Sequence, residues 1–416
     1  MQFNRKHYVN ELIKRKHNGM IKIITGLRRS GKSYLLFELF KEHLLQSGVA
    51  ENRIICIQLD KIRFSRLRDP MTCYNYINER CKENGMHYLL IDEVQLMNGF
   101  EDLLNSYAGE RDMDVYVTGS NSRLLVTDVI TEFRGRGDEV RVFPLSMAEL
   151  AEAFPDKPWE QLWQEYSYYG GLPQMVAMDD AAQKSKYLKS LFQTTYFKDI
   201  IDRYNIANKE QFSQLVDILA SSVGSLTNPH KLQNTFASKG LKLSDNTIKQ
   251  YIDYLQDAFL VSEVKRYDVR GKQYIGSPYK YYFTDIGLRN ARLNFRQYEE
   301  AHIMENIIYT ELLHRGCEVD VGMVETVETT DGKREHKRIE IDFVANRGSE
   351  RYYIQSAFAM PSEDKIRQEE RPLLNVQDSF RKIIVVKEPV VHHFNDNGTS
   401  VVSLKDFLLN ENSLLF

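Results

Sequence analysis

Residues 21–39 read IKIITGLRRSGKSYLLFEL. β-Branched apolar residues give way after Thr25 to a glycine-bounded polar turn, and helix formers with Leu and Phe at turn spacing follow from Ser33. The turn, Gly26-Leu27-Arg28-Arg29-Ser30-Gly31-Lys32-Ser33, has the spacing G-x-x-x-x-G-K-[ST] in the strand-then-helix setting of a phosphate-binding loop. Its glycines let the backbone wrap phosphate oxygens, and the helix start offers unpaired N–H groups. Lys32 reaches the β- and γ-phosphates, and Ser33 offers its hydroxyl to Mg²⁺. Gly26, Ser30, Gly31, Lys32, Ser33 and Tyr34 are therefore the expected nucleotide contacts. Because the backbone holds the phosphate, Arg28 and Arg29 are left for another task, either docking the neighbouring domain or closing on the nucleotide.

Such a loop predicts an apolar strand ending in an acid that holds the metal. HYLLIDEVQ supplies it: Asp92 is expected to hold Mg²⁺ through water and Glu93 to act as general base on the attacking water. A third strand, in MDVYVTGSNSRLL, ends near Ser120 and Asn121, where ATPases with an additional strand place a side chain that senses the γ-phosphate; Asn121 is the choice, Ser120 the reserve. In FRGRGDEVRVFPLSMAEL, Arg134 or Arg136 precedes a fourth strand and can serve as an arginine finger, in cis or from a neighbouring subunit. Strands near Ile21, Ile54, Tyr88, Val115 and Val140, with helices between them, describe a parallel sheet wound on both faces, its ligand at the strands' C-terminal edge. No N-K-x-D element follows the fourth strand, which favours adenine over guanine.

A length of 416 residues exceeds one ordinary core and implies several domains. A net charge of −3 makes any nucleic-acid surface local. Four cysteines (Cys56, Cys73, Cys81, Cys317) form no C-x-x-C pair, which speaks against a disulfide framework or zinc ribbon and for a reducing cytoplasm. No run approaches the roughly 18 apolar residues that span a bilayer, and the N-terminus lacks a signal-type apolar segment.

Taken in order, GLRRSGKS, LLIDEVQ, VTGSNSRLL, GRGDEVRVFPLSMAEL and YYGGLPQM resemble a prokaryotic family of AAA-type P-loop ATPases. Those proteins end in a domain of unknown function that looks like a degenerate PD-(D/E)xK nuclease. Gly170-Gly171-Leu172-Pro173 is similar to the Gly-x-Pro element of switch ATPases, and the resemblance implies Pro173 as an adenine contact. A plain turn ending the preceding helix is the alternative.

Residues 151–223 read as a helical lid, in which Lys198 and Arg203 could reach nucleotide or neighbour. From Ser225, helix, turn, helix and two strands around a polar tip read as a winged helix, with LSDNTIKQYIDYLQDAFL as the recognition-type helix capped by Ser244 or Asp245. Twelve basic residues against six acidic ones between Ser225 and Tyr298 give +6 there and −9 elsewhere. Lys242, Lys249, Lys265, Arg266, Arg270 and Lys272 are the expected phosphate-backbone contacts, the alternative being a packing module. In the C-terminal part, Glu305 and Asp342 match two positions of the nuclease resemblance. Gln355-Ser356-Ala357 lacks the third carboxylate and the lysine, so cleavage is not expected unless Glu340 and Lys365 substitute. His392-His393 has no third ligand nearby, and Asn395-Asp396-Asn397-Gly398 reads as a hairpin turn.

The expected fold is α/β: an AAA-type P-loop core (1–150), a helical lid (151–223), a winged helix (224–298) and a nuclease-like, inactive domain (299–416). The expected function is that of a cytoplasmic, Mg²⁺-dependent ATP-hydrolysing switch or motor, with double-stranded DNA or a protein client as partner and no membrane. Alternatives are a DNA-binding regulator that uses ATP structurally and an ATP-gated nuclease.

Overall fold

Four apolar runs become β1 (Ile21–Thr25), β2 (Ile54–Gln58), β3 (His87–Asp92) and β4 (Met113–Thr118), and the mostly polar GDEVR becomes an edge strand, β5 (Gly137–Arg141). In this computed structural model they form one parallel sheet in the order β2-β3-β4-β1-β5. The structure describes residues 3–119, 135–238, 240, 243–330 and 333–415, with backbone alone for those of 327–336 among them. β1, β3 and β4 are buried along their whole length, as a parallel sheet covered on both faces requires. On one face, Tyr8 and Leu12 of the helix Lys6–Lys14 pack with Leu35, Leu36 and Phe40 against Ile24 and Tyr116. The helix after the phosphate loop is not uniform: Lys32–Tyr34 and Lys41–Gln46 flank a wider π-helical stretch, Leu35–Phe40.

Lys22 and Asp114 form an ion pair inside this sheet, both side chains within 2 % of full burial. The ammonium also donates to Met20 O at 2.8 Å, and the carboxylate accepts from Tyr116 Oη at 2.9 Å and His17 N at 3.2 Å. Burial pulls the Lys22 ammonium below its ordinary pKa, against the opposing pull of Asp114.

The chain divides into two compact units. The first holds Met1–Pro144, Leu172–Ala177 and Asp257–Phe259; the second holds Leu145–Gly171, Met178–Gln256 and Leu260–Phe416. The second is built on an eight-stranded mixed sheet. Its strands are β6 (Val261–Asp268), β7 (Gln273–Phe283), β8 (Glu318–Thr330), β9 (Lys333–Arg347), β10 (Glu350–Ala357), β11 (Arg381–Val386), β12 (His393–Phe394) and β13 (Ser400–Ser403). Their order is β12-β13-β11-β10-β9-β8-β6-β7. Tyr353, Ile341, Val344, Ile384 and Leu373 of the helix Glu363–Leu374 are central to its core.

The helices read as a turn-helix pair are present as Pro229–Ser238 and Asp245–Asp257, the second opened by Ser244, whose Oγ accepts from Thr247 N at 3.1 Å. The hairpin read as a wing is β6–β7, but β6 also pairs in parallel with β8 through Arg266↔Val321 to Asp268↔Met323. A boundary at 298/299 therefore runs through one continuous sheet. Long-range pairing, with no local sequence signature, joins the hairpin to the C-terminal strands. Asn395–Gly398 is a turn between β12 and β13, closed by Gly398 N to Asn395 O at 2.9 Å.

A candidate nucleotide site at the edge of the parallel sheet

β1 runs directly into the loop Gly26–Ser33, and its neighbours place their last residues beside it. Gly26 takes φ +124°, and a Cβ there would lie 2.1 Å from Val142 O, so only glycine lets the loop leave the sheet at this point. Lys32 folds into its own loop, donating to Gly26 O at 2.9 Å and Leu27 O at 3.0 Å. An ammonium has three donors, and two are used here. Burial, partly offset by Glu93 and Asp92, pushes the Lys32 ammonium down to about 8. The Ser30 hydroxyl is fully buried and has no hydrogen-bond partner among the described residues. Tyr34, in the first helical turn after the loop, is partly exposed.

The Ser33 Oγ donates to Asp92 Oδ1 at 3.0 Å, and Thr118 Oγ1 donates to the same carboxylate oxygen. Thr118 Oγ1 in turn accepts from Glu93 N at 3.0 Å. The Thr118 hydroxyl thus bridges the two acids, and Asp92 links them to the phosphate-loop serine. Burial raises the Asp92 carboxyl above its usual range, with the Thr118 and Ser33 hydrogen bonds pulling the other way. Glu93 adopts a left-handed φ of +51°, a conformation costing about 1–3 kcal/mol for a non-glycine residue. Its Oε2 accepts from Gln95 Nε2.

Thr118 was not singled out in the sequence, although it ends the strand that was. β4 lies between β1 and β3, so its terminal residue falls between the phosphate loop and Asp92. Ser120, Asn121 and Arg134 lie outside the described residues. Arg136 stands at the opposite edge of the sheet: its carbonyl accepts from Ile21 N at 2.8 Å, and its Nη1 donates to Ala108 O at 3.2 Å. The length of β1, roughly 15 Å at 3.3 Å per residue, separates it from the loop. Arg136 therefore cannot be a finger for the nucleotide of its own chain.

Pro173 sits against the phosphate loop, its Cγ 3.8 Å from where a Cβ on Gly31 would be. The neighbouring Gln174 Oε1 accepts from Arg29 Nη1 at 3.0 Å. Arg29, held at φ +63°, thus bonds the segment Leu172–Ala177, which belongs to the same compact unit as the loop. The glycines before Pro173 serve another contact: Gly171 N donates to Asp285 Oδ2 at 2.9 Å, and a Cβ on Gly170 would lie 2.4 Å from Asp285 Oδ1. Burial pushes the Asp285 carboxyl up to about 6.

Of the cations read as DNA contacts, Lys249, Lys265, Arg270 and Lys272 are exposed, whereas Arg266 is buried and Lys242 lies outside the described residues. Lys280 and Arg289, part of the same local charge excess, are buried as well. Lys198 is exposed, and Arg203 pairs with Asp199 at 2.6 Å. Glu305 and Asp342 do converge, joined by Glu340, but the lysine among them is Lys280 of β7. Lys365 pairs with Glu369 instead. The alternation of β7 places Lys280 and Tyr282 on one face, and a lysine inside PYKYYF was the available signal for a buried anionic partner.

A family model described as an AAA domain matches residues 18–151, and one described as a domain of unknown function (DUF8612) matches residues 160–299. An uncharacterized protein of Haemophilus influenzae is 32% identical over 411 residues, covering 98% of this chain and 98% of its own length. The chain belongs to the family of that protein, with an AAA domain at residues 18–151. An uncharacterized protein of Methanocaldococcus jannaschii is 25% identical over 401 residues, covering 93% of this chain and 85% of its own. A Walker-type ATPase of Pyrococcus abyssi shares the fold, with a TM-score of 0.51 and 17% identity over 70% of this chain and 96% of that one. The AAA domain coincides with the parallel sheet and its phosphate loop. The domain of unknown function precedes the C-terminal residues compared above with a nuclease. Among the described residues, no helix is long and apolar enough to cross a membrane.

Proposed function

We propose that the AAA domain binds ATP with Mg²⁺ at the C-terminal edge of the parallel sheet and hydrolyses it, driving a switch or motor cycle. The observation that carries this is the connected chain Ser33–Asp92–Thr118–Glu93 beside a phosphate-binding loop. The residues fit a magnesium site: a serine hydroxyl and a carboxylate, both hard oxygen donors, already meet at 3.0 Å. Ser33 and Asp92 would hold the ion, which when bound neutralises charge shared by the β- and γ-phosphates. The loop backbone and the Ser30 hydroxyl receive phosphate oxygens, and Lys32 turns its remaining donor to them. Glu93, oriented through its backbone by Thr118 and through its carboxylate by Gln95, takes the proton of the attacking water. Pro173, packed by Gly31, borders the nucleotide, and Asn121 is the γ-phosphate sensor. Arg136 serves as a finger only on a neighbouring subunit's nucleotide. Lys249, Lys265, Arg270 and Lys272 are the cations through which duplex DNA would engage the cycle.

ATP turnover measured with Mg²⁺ and with excess chelator, each with and without duplex DNA, tests the reading. Turnover that requires Mg²⁺ is expected; ATP binding without turnover under every condition would contradict it. Thr118→Val keeps the strand's shape but removes the hydroxyl, and is expected to lower kcat roughly 10–100-fold, as loss of a group that orients metal ligands does. ATP affinity should change little, so a matching loss in both would show that Thr118 acts mainly on binding.

Lys32 also predicts a pH dependence. Its ammonium, at about 8 without ligand, rises when anionic phosphates arrive, so the complex binds more protons than the free protein. ATP affinity should fall as pH rises above about 8, approaching tenfold per pH unit. Calorimetry at pH 9 in buffers of different ionisation enthalpy should show close to one proton taken up; no uptake would mean that Lys32 is already charged in the free loop.

A further inference from the structure

In the second unit, acids from two elements meet at a lysine from a third. Glu305 of the helix Glu300–His314, with Glu340 and Asp342 of β9, lies 2.7, 2.6 and 3.4 Å from Nζ of Lys280 in β7. The lysine side chain is 4% exposed, less than any of the three carboxylates around it. The other contacts complete a built site: Tyr282 Oη donates to Glu305 Oε1, and Ser356 N donates to Asp342 Oδ2 at 2.9 Å. Burial opposes the charge on Lys280, but the three carboxylates outweigh it and hold the ammonium protonated. Burial, with the anions Glu305 and Glu369 nearby, pushes the Asp342 carboxyl up to about 6 against the pull of Lys280, while Glu340 faces Arg266 as well as Lys280.

The donor set that the nuclease resemblance would give to Mg²⁺ is an acid on the helix, matched by Glu305, an Asp on one strand, matched by Asp342, and an acid-x-Lys on the next strand, for which Glu340 would have to substitute. The residues present do not fit that ion. Mg²⁺ draws oxygens to about 2.0–2.1 Å in an octahedron, whereas these carboxylates are spaced around a nitrogen at ordinary ammonium distances. Gln355 and Ala357 stand where the further acid and the lysine belong. Gln355 instead accepts from Asp342 N at 3.4 Å and donates to Glu369 at 3.3 Å.

We propose that Lys280 is a built-in cation: its ammonium takes the place of a divalent metal among Glu305, Glu340 and Asp342, and ties β7, β9 and the helix Glu300–His314 together. The cluster is then a structural keystone that leaves no vacancy for a metal. Removing the ammonium while keeping the stem should convert the same three acids into a divalent-cation site, because facing carboxylates without a counter-charge recruit one.

The test is Mn²⁺ binding to the nucleotide-free full chain by electron paramagnetic resonance, for wild type, Asp342→Asn, Lys280→Met and the double variant. Wild type and Asp342→Asn should bind Mn²⁺ alike up to millimolar concentrations. Lys280→Met should gain one site that the double variant lacks, and its melting temperature should rise with Mn²⁺ where that of wild type does not. An Asp342-dependent Mn²⁺ site in wild type would overturn the proposal, as would a folded Lys280→Met variant that gains no site. Should Lys280→Met fail to fold, the comparison of wild type with Asp342→Asn still decides.

Discussion

Replacing Asp114 by alanine is expected to destabilise the AAA domain by about 3–5 kcal/mol, because it leaves the Lys22 ammonium buried without its counter-charge. The register sets the pair deep in the sheet: Lys22 on β1 lies opposite Tyr116 on β4, two residues beyond Asp114. The hydrogen bonds from Tyr116 and His17 to Asp114 would be lost too. Against a typical domain stability of about 5–15 kcal/mol, a loss of this size leaves little in reserve. Denaturant unfolding of wild type and variant measures it. The double variant Lys22→Met, Asp114→Leu should recover most of the loss, since apolar replacements remove both charges rather than one. A loss below about 1 kcal/mol for Asp114→Ala would mean that the ammonium escapes to water instead.

Lys32→Ala should remove most ATP affinity. A hydrogen bond to a charged group is worth roughly 1.5–3 kcal/mol, so losing the contact that the remaining donor of Lys32 makes to phosphate weakens binding by about ten- to a hundredfold. The same substitution should abolish the proton uptake predicted at pH 9. It also frees Gly26 O and Leu27 O, which accept from the ammonium in the ligand-free loop, and a modest loss of stability is expected. Unchanged affinity in Lys32→Ala would place the phosphates elsewhere.

The N-terminal sheet was legible because parallel strands buried on both faces are near-continuous apolar runs, and because G-x-x-x-x-G-K-[ST] and the Asp92-Glu93 pair sit where strands end. Thr118 was not, since its role depends on β4 lying between β1 and β3, an order that no local pattern encodes. The side on which Arg136 falls was legible in principle: a residue just before a strand of a parallel sheet lies at the edge away from a loop that follows a neighbouring strand. The charge excess between Ser225 and Tyr298 overstates the charge available at the surface for a different reason. Counting charges says nothing of burial, and Arg266, Lys280 and Arg289 are spent inside the fold. Arg289 is the clearest case, donating to Ala220 O at 2.8 Å and Gln297 O at 2.7 Å. Lys280 escaped notice because its partners are contributed by residues 25 and more positions away.

If Glu93 is the base of an ATP-hydrolysing site, single-turnover hydrolysis of ATP by wild type and Glu93→Gln under saturating Mg²⁺ will separate the two proteins. Glutamine keeps the size and the backbone hydrogen bond to Thr118 but cannot accept the proton. Glu93→Gln should bind ATP as wild type does and turn it over about 100-fold or more slowly, within the range that general-base catalysis supplies. Equal rates in the two proteins, with ATP bound by both, would contradict that role for Glu93.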